Sequence, residues 1–202
     1  RPYETALLSL MLLTGRSPEA VFDCRVVANR AQLPERIDDV DKLFLIEDER
    51  AWACGILQPE GRRKKSHAWA TFLQPVGGVF IAGVPDELWR LFDELTFTAA
   101  SRARKRSVSL FGTNGRYIST SFNTCITDAR DFIKELRAST GARITLKRIQ
   151  SQLFSSMTVS SSDIVDAAMV TGSQPPFGQT AALYYQSSPA AALRQCYRDV
   201  IE

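Results

Sequence analysis

The run ETALLSLMLL, residues 4–13, leaves little choice about how the chain can fold. From Leu7 to Leu13 it is apolar and interrupted only by Ser9, yet far shorter than the roughly 20 residues a membrane-spanning helix needs. A helix with no polar face has to be buried, so the rest of the fold must be built around it. Gly15 follows as a helix stop. Ser17 and Pro18 start a second helix, as N-cap and first helical residue. Between stop and start stands Arg16, a permanent charge in a tight joint with poor access to solvent.

The remaining bounds are broad. The chain has 202 residues, 45% of them hydrophobic, enough for one sizeable core and a single domain over 1–202. No stretch of 18 apolar residues and no secretory signal pattern occurs, which excludes a membrane partner of the spanning kind. The first residue is Arg1, with no Met before it, so a piece of a longer protein is expected. Cys24, Cys54, Cys125 and Cys196 are scattered without CxxC spacing or His partners. They read as small buried hydrophobes in a reducing compartment, with no metal site.

Net charge is +3, but Lys and Arg concentrate in GRRKKSH (61–67) and RARKR (102–106). Such clusters are the electrostatic footprint expected for phosphate backbones, which nominates Arg62, Arg63, Arg102, Arg104 and Lys105 as contacts to double-stranded DNA.

From 42 to 84 the pattern turns to β: KLFLIED, AWACGIL, HAWATFL and GGVFIAGV, separated by the polar turns EDER and PEGRRKKS. VPDELWRLFDEL returns to helix. Ala129, Phe132, Ile133 and Leu136 predict a helix over 127–138 closed by Gly141. Thr145 can cap the next, with Leu146, Ile149, Leu153 and Met157 as its buried stripe. SDIVDAAMVTG (162–172) is a helix with a glycine stop, GSQPPFG a loop and QTAALYYQ a short helix. Ser188 and Pro189 begin the last helix, on which Ala192, Leu193, Cys196, Val200 and Ile201 form an apolar stripe. The expected fold is mainly α with a small antiparallel β-sheet, an α+β domain without internal repeats.

In this order, the pieces resemble the catalytic domain of the tyrosine recombinase, or phage integrase, family. TGRSPE is similar to the family's TG…R-x-x-E motif with one residue fewer between Gly and Arg. AGVPDEL looks like the end of its sheet, TLKRIQSQLFSS like its H-x-x-R helix and TAALYY like its tyrosine segment. The resemblance implies a recombinase-like fold over nearly the whole chain, without the family's N-terminal DNA-clamping domain. It implies DNA strand cleavage and rejoining through a 3′-phosphotyrosyl intermediate, in the bacterial cytoplasm at the nucleoid. No cofactor is implied, because the covalent link conserves the bond energy. The apolar stripe of the C-terminal helix would either dock on a neighbouring copy, so that copies assemble on DNA, or pack on its own domain.

The implied roles follow the motifs. Arg16 would clamp the scissile phosphate beside a helix N-terminus, braced by Glu19 one turn along. Lys64 or Lys65 at the hairpin tip would protonate the leaving oxygen. Tyr184, four residues after Thr180, or its neighbour Tyr185 would be the nucleophile. Lys147 falls where the family has His, and Gln150 where it has the second Arg, with Arg148 between them as a further DNA contact. The later His or Trp of the family has no counterpart, since the only histidine is His67. Gln150 can donate a hydrogen bond to phosphate but brings no charge, and one lost preorganised donor costs about 10²–10³ in rate. A catalytically degenerate, DNA-binding accessory protein is therefore the alternative. An unrelated α+β domain with another acidic partner is the third.

Overall fold

The computed structural model describes residues 2–35, 37, 39–56, 79–92, 108–111, 121–161, 163–173 and 190–201. Helix α1 (Pro2–Thr14) is the central element, as its composition requires. Ala6, Leu7, Leu8, Leu10, Met11 and Leu13 are all buried, and Leu12 alone of its leucines reaches solvent. Around α1 pack α2 (Pro18–Phe22), α4 (Phe122–Thr140) and α5 (Leu146–Ser161). Helix α5 in turn carries α6 (Ile164–Thr171) and the C-terminal helix α7 (Ala190–Ile201). Helical residues 86–92 form α3 after the sheet.

Among the described residues the sheet has five strands: β1 (Arg25–Val27), β2 (Leu43–Ile46), β3 (Ala51–Gly55), β4 (Val79–Gly83) and β5 (Val108–Ser109), in the order β4-β3-β2-β1-β5. It is mixed, not antiparallel as the sequence pattern led us to expect. Strand β1 runs parallel to β2, with Val26 opposite Leu45, while the other pairs are antiparallel. The reason lies in residues 28–42, which cross over between β1 and β2 with the 3₁₀ turn Arg30–Gln32 on the way. A parallel pair needs such a crossover, and a hairpin turn cannot supply it. Strands β1 and β5 are three and two residues long, too short for an alternation to be visible in sequence.

The crossover also explains why β2 and β3 are apolar at every position instead of alternating. One sheet face presents Leu43, Leu45, Trp52, Cys54, Phe80 and Ala82 to the helices. The opposite face, with Phe44, Ile46, Ala51 and Ala53, is covered by Leu33 and Ile37 of the crossover. Gly55 is where that strap lies closest, for a Cβ there would run into the Ile37 carbonyl oxygen.

The helices of the second half follow their stripes. Ser121 Oγ accepts from Thr124 N and caps α4 one turn before the 127 read from periodicity, because Phe122 packs edge-on against Phe22 of α2 at 5.4 Å. Thr145 Oγ1 accepts from Arg148 N at 3.1 Å, and Ile149, Leu153 and Met157 are buried. On α7 the buried residues are Leu193 and Tyr197, whereas Ala192 is exposed. Leu193, Cys196, Tyr197, Val200 and Ile201 follow i, i+3, i+4, i+7, i+8, a stripe centred one residue from the expected one and turned onto α5 and β4 of its own chain. The fold is a mixed α+β unit. Among the described residues, no helix is long and apolar enough to cross a membrane.

Candidate functional site

Two of the described helices that end in Thr-Gly end against each other. Helix α1 closes with Thr14-Gly15 and α6 with Thr171-Gly172. Each threonine hydroxyl donates back to the carbonyl four residues earlier, Thr14 to Leu10 at 2.7 Å and Thr171 to Ala167 at 2.8 Å. Each glycine adopts left-handed backbone, with φ of +66° and +69°, and donates its N–H to Met11 O and Ala168 O respectively. The ends interlock: a Cβ on Gly15 would lie 2.8 Å from Thr171 Cγ2 and 3.5 Å from the Gln150 carbonyl oxygen of α5.

Helix C-termini carry partial negative charge from their unpaired carbonyls, so two brought together repel. Arg16 resolves this. Its side chain, 1% exposed, turns inward from the α1–α2 joint, and Nη2 donates to Val170 O of α6 at 2.8 Å. The same nitrogen lies 3.3 Å from Cys54 Sγ on β3. The guanidinium occupies the space beside Gly172 that any side chain would need, since a Cβ there would coincide with Nη1. Arg16 Nε and Nη1, both buried, have no hydrogen-bond partner among the described residues. A guanidinium carries five donors, and leaving buried ones unmade is expensive.

The thiol beside it is neutral. Burial pushes the Cys54 thiol up from its ordinary value, and the charge and hydrogen bond of Arg16 pull it back by less. On the same sheet face Trp52 Nε1 donates to Tyr197 Oη at 3.0 Å, and Trp52, Phe80 and Tyr197 form an aromatic cluster with ring centroids 5.3–5.7 Å apart. Burial raises the Tyr197 phenol too, with the Trp52 hydrogen bond opposing and Cys54 adding to the rise. Tyr197 stands outside the stripe read from sequence and is buried because the stripe of α7 is centred one residue further on.

The expected site residues divide into three groups. Gly15, next to Arg16 in the chain, packs against the Gln150 backbone carbonyl, and Gln150 is half-buried, while the Arg16 side chain is directed to Val170 and Cys54. Lys147 and Arg148 stand exposed on the first turn of α5, with Arg148 Nη1 donating to Arg143 O at 2.7 Å. Two expectations need correction. The Arg16 guanidinium sits at the C-terminal end of α6 and not at the N-terminus of α2, because a cation is favoured at carbonyl ends. Glu19 does not brace it: Glu19 is exposed in the first turn of α2, where a carboxylate suits the helix dipole, and the hydrogen bonds of Arg16 go to Val170 and Cys54. Lys64, Lys65, Tyr184, Tyr185, Arg62, Arg63, Arg102, Arg104 and Lys105 lie outside the described residues, as do the HAWATFL strand, the GSQPPFG loop beyond Ser173 and the QTAALYYQ helix.

Sequence reasoning missed Cys54, Val170 and Gly172. A signal for the last was present: Thr-Gly recurs at 14–15, 140–141 and 171–172 and marks equivalent helix ends, though not which of them meet. Among the described residues, no group of three or more His, Cys, Asp and Glu is placed to hold a metal ion. No protein-family model, curated protein or solved structure matches the chain.

Proposed function

We propose that this chain is a tyrosine-recombinase-like domain that binds duplex DNA and breaks and rejoins its strands through a phosphotyrosyl link. The observation that supports the reading is the meeting of the TGRSPE joint with α5, at Gly15 and Gln150. These are the two motif segments whose side chains would share a phosphate, and they are distant in sequence. In this reading Arg16 supplies charge to the pentavalent phosphorane, and Nε and Nη1, which have no partner among the described residues, are the groups that phosphate oxygens would satisfy. Gln150 adds a neutral donor, Lys147 a cation one turn away on α5, and Tyr184 or Tyr185 the nucleophile. The hydroxyl oxygen attacks phosphorus, the 5′-oxygen leaves with a proton from Lys64 or Lys65, and a later 5′-hydroxyl reverses the step.

A second reading, the DNA-binding accessory protein, is favoured by Gln150 itself. A neutral amide where a second guanidinium is expected weakens the clamp by about 10²–10³ in rate. A nicked suicide duplex separates the two. Covalent adduct on Tyr184 or Tyr185, lost in Arg16→Ala, supports strand transfer. Salt-sensitive binding without adduct supports the accessory role. A protein that neither binds nor reacts at low salt refutes both. Gln150→Arg is expected to raise adduct yield at least tenfold.

A further inference from the structure

We infer that the socket holding Arg16 is an autoinhibitory latch: the carbonyl end of α6 occupies the guanidinium that a DNA phosphate would need, and binding requires the two Thr-Gly ends to part. The inference rests on the proposed function and says how that site is regulated. Three observations carry it. Arg16 is 1% exposed, so no phosphate outside the protein can reach it while α6 stays in place. Among the described residues it is held by one carbonyl oxygen and a thiol, with no partner there for Nε and Nη1. An arginine satisfied so incompletely gains from any partner offering more acceptors, and a phosphodiester offers two anionic oxygens. The slot depends on the missing side chain at Gly172, so the held position is a built feature of the α6 end.

The latch closes when α6 ends at Gly172 against the α1 joint. It opens when the Gly15–Thr171 and Arg16–Val170 contacts separate and the guanidinium swings outward along the α1–α2 joint. DNA affinity is then reduced by the fraction of molecules that are open, the usual cost of a binding-competent minor state. The inference predicts coupling between Gly172 and Arg16 in DNA binding, although neither touches DNA in the closed form.

The test uses the whole 202-residue chain and a 30-base-pair duplex at low salt. Hydrogen exchange of the Thr171 and Gly172 amides is measured with and without saturating DNA. The latch predicts at least tenfold faster exchange in the complex, and unchanged exchange with DNA bound overturns it and leaves only the DNA-binding accessory reading standing. Gly172→Ala, which forces the guanidinium out, is expected to tighten DNA binding at least tenfold, and Arg16→Met to abolish that gain. Equal effects of Arg16→Met in both backgrounds overturn the latch. If Gly172→Ala does not fold, the exchange measurement on the unmutated protein decides alone. If the unmutated chain binds no DNA, the proposed function and the latch fall together.

Discussion

Three helices of this protein end in Thr-Gly, and they have very different neighbours. At Thr140-Gly141, the end of α4, the local chemistry is complete: Thr140 Oγ1 donates to Leu136 O, and Gly141 is left-handed at φ +68° and donates to Arg137 O. Nothing lies within 4 Å of where a Gly141 Cβ would be. At Thr14-Gly15 and Thr171-Gly172 the same hydrogen bonds and the same backbone are present, but each glycine is pressed against a neighbour. Identical local rules thus serve once to stop a helix in solvent and twice to build a joint around a buried charge.

Substitution can break this comparison. The largest effect is expected for Gly172→Ala, where left-handed strain adds to expulsion of Arg16 from its slot. A loss of about 3–5 kcal/mol in urea unfolding is expected, in the range seen when a buried charge loses its partner. In an Arg16→Ala background the same change should cost only the strain, about 1–2 kcal/mol. A double-mutant cycle with no coupling would separate Gly172 from Arg16.

Alkaline pH probes the buried region without mutation. Burial pushes the Cys24 thiol up to about 12 from 9.0, and it raises Cys54 as well. The unfolded chain loses these protons first. For Cys24 the contribution to stability is therefore complete below pH 9 and falls as pH rises toward 12, by about 1.4 kcal/mol per pH unit, and Cys54 adds a loss of the same sign. Cys24→Ala should flatten the slope measured by denaturant midpoints between pH 8 and 10.5.

Gly15→Ala comes next, at about 2 kcal/mol, since its Cβ would press on the Thr171 side chain as well as strain the backbone. The smallest effect belongs to the exposed end. Gly141→Ala should cost about 1 kcal/mol, and Gly141→Asn less, because Asn tolerates left-handed backbone. Thermal melts of the three Gly→Ala variants should rank 172, 15, 141. Equal shifts would mean that neighbours contribute nothing beyond backbone strain.

The helices were legible where they carry a start, a stop or a stripe of their own, although α4 begins before the 127 read from periodicity and the α7 stripe is shifted by a residue. Ser17 and Pro18, Thr145, Gly141 and Gly172 are local signals that act over a few residues, and they act as expected. Strands β1 and β5 were not legible, because three and two residues hold no period and are defined by their partners. The Arg16 joint was found from its position, but the surroundings of its guanidinium came from elements distant in the chain.

The sequence by itself determined that residues 4–13 are a buried helix, that a cation stands at its end, and that helices with fixed caps surround a small sheet. All of these follow from side-chain polarity and backbone preference within one or two turns. Only the tertiary structure decided which helix end receives the cation. That choice depends on the crossover making β1 parallel to β2, on Cys54 facing inward from β3, and on α6 ending where α1 ends. An arginine is drawn to carbonyl ends in general, and packing alone brings the α6 end within its reach.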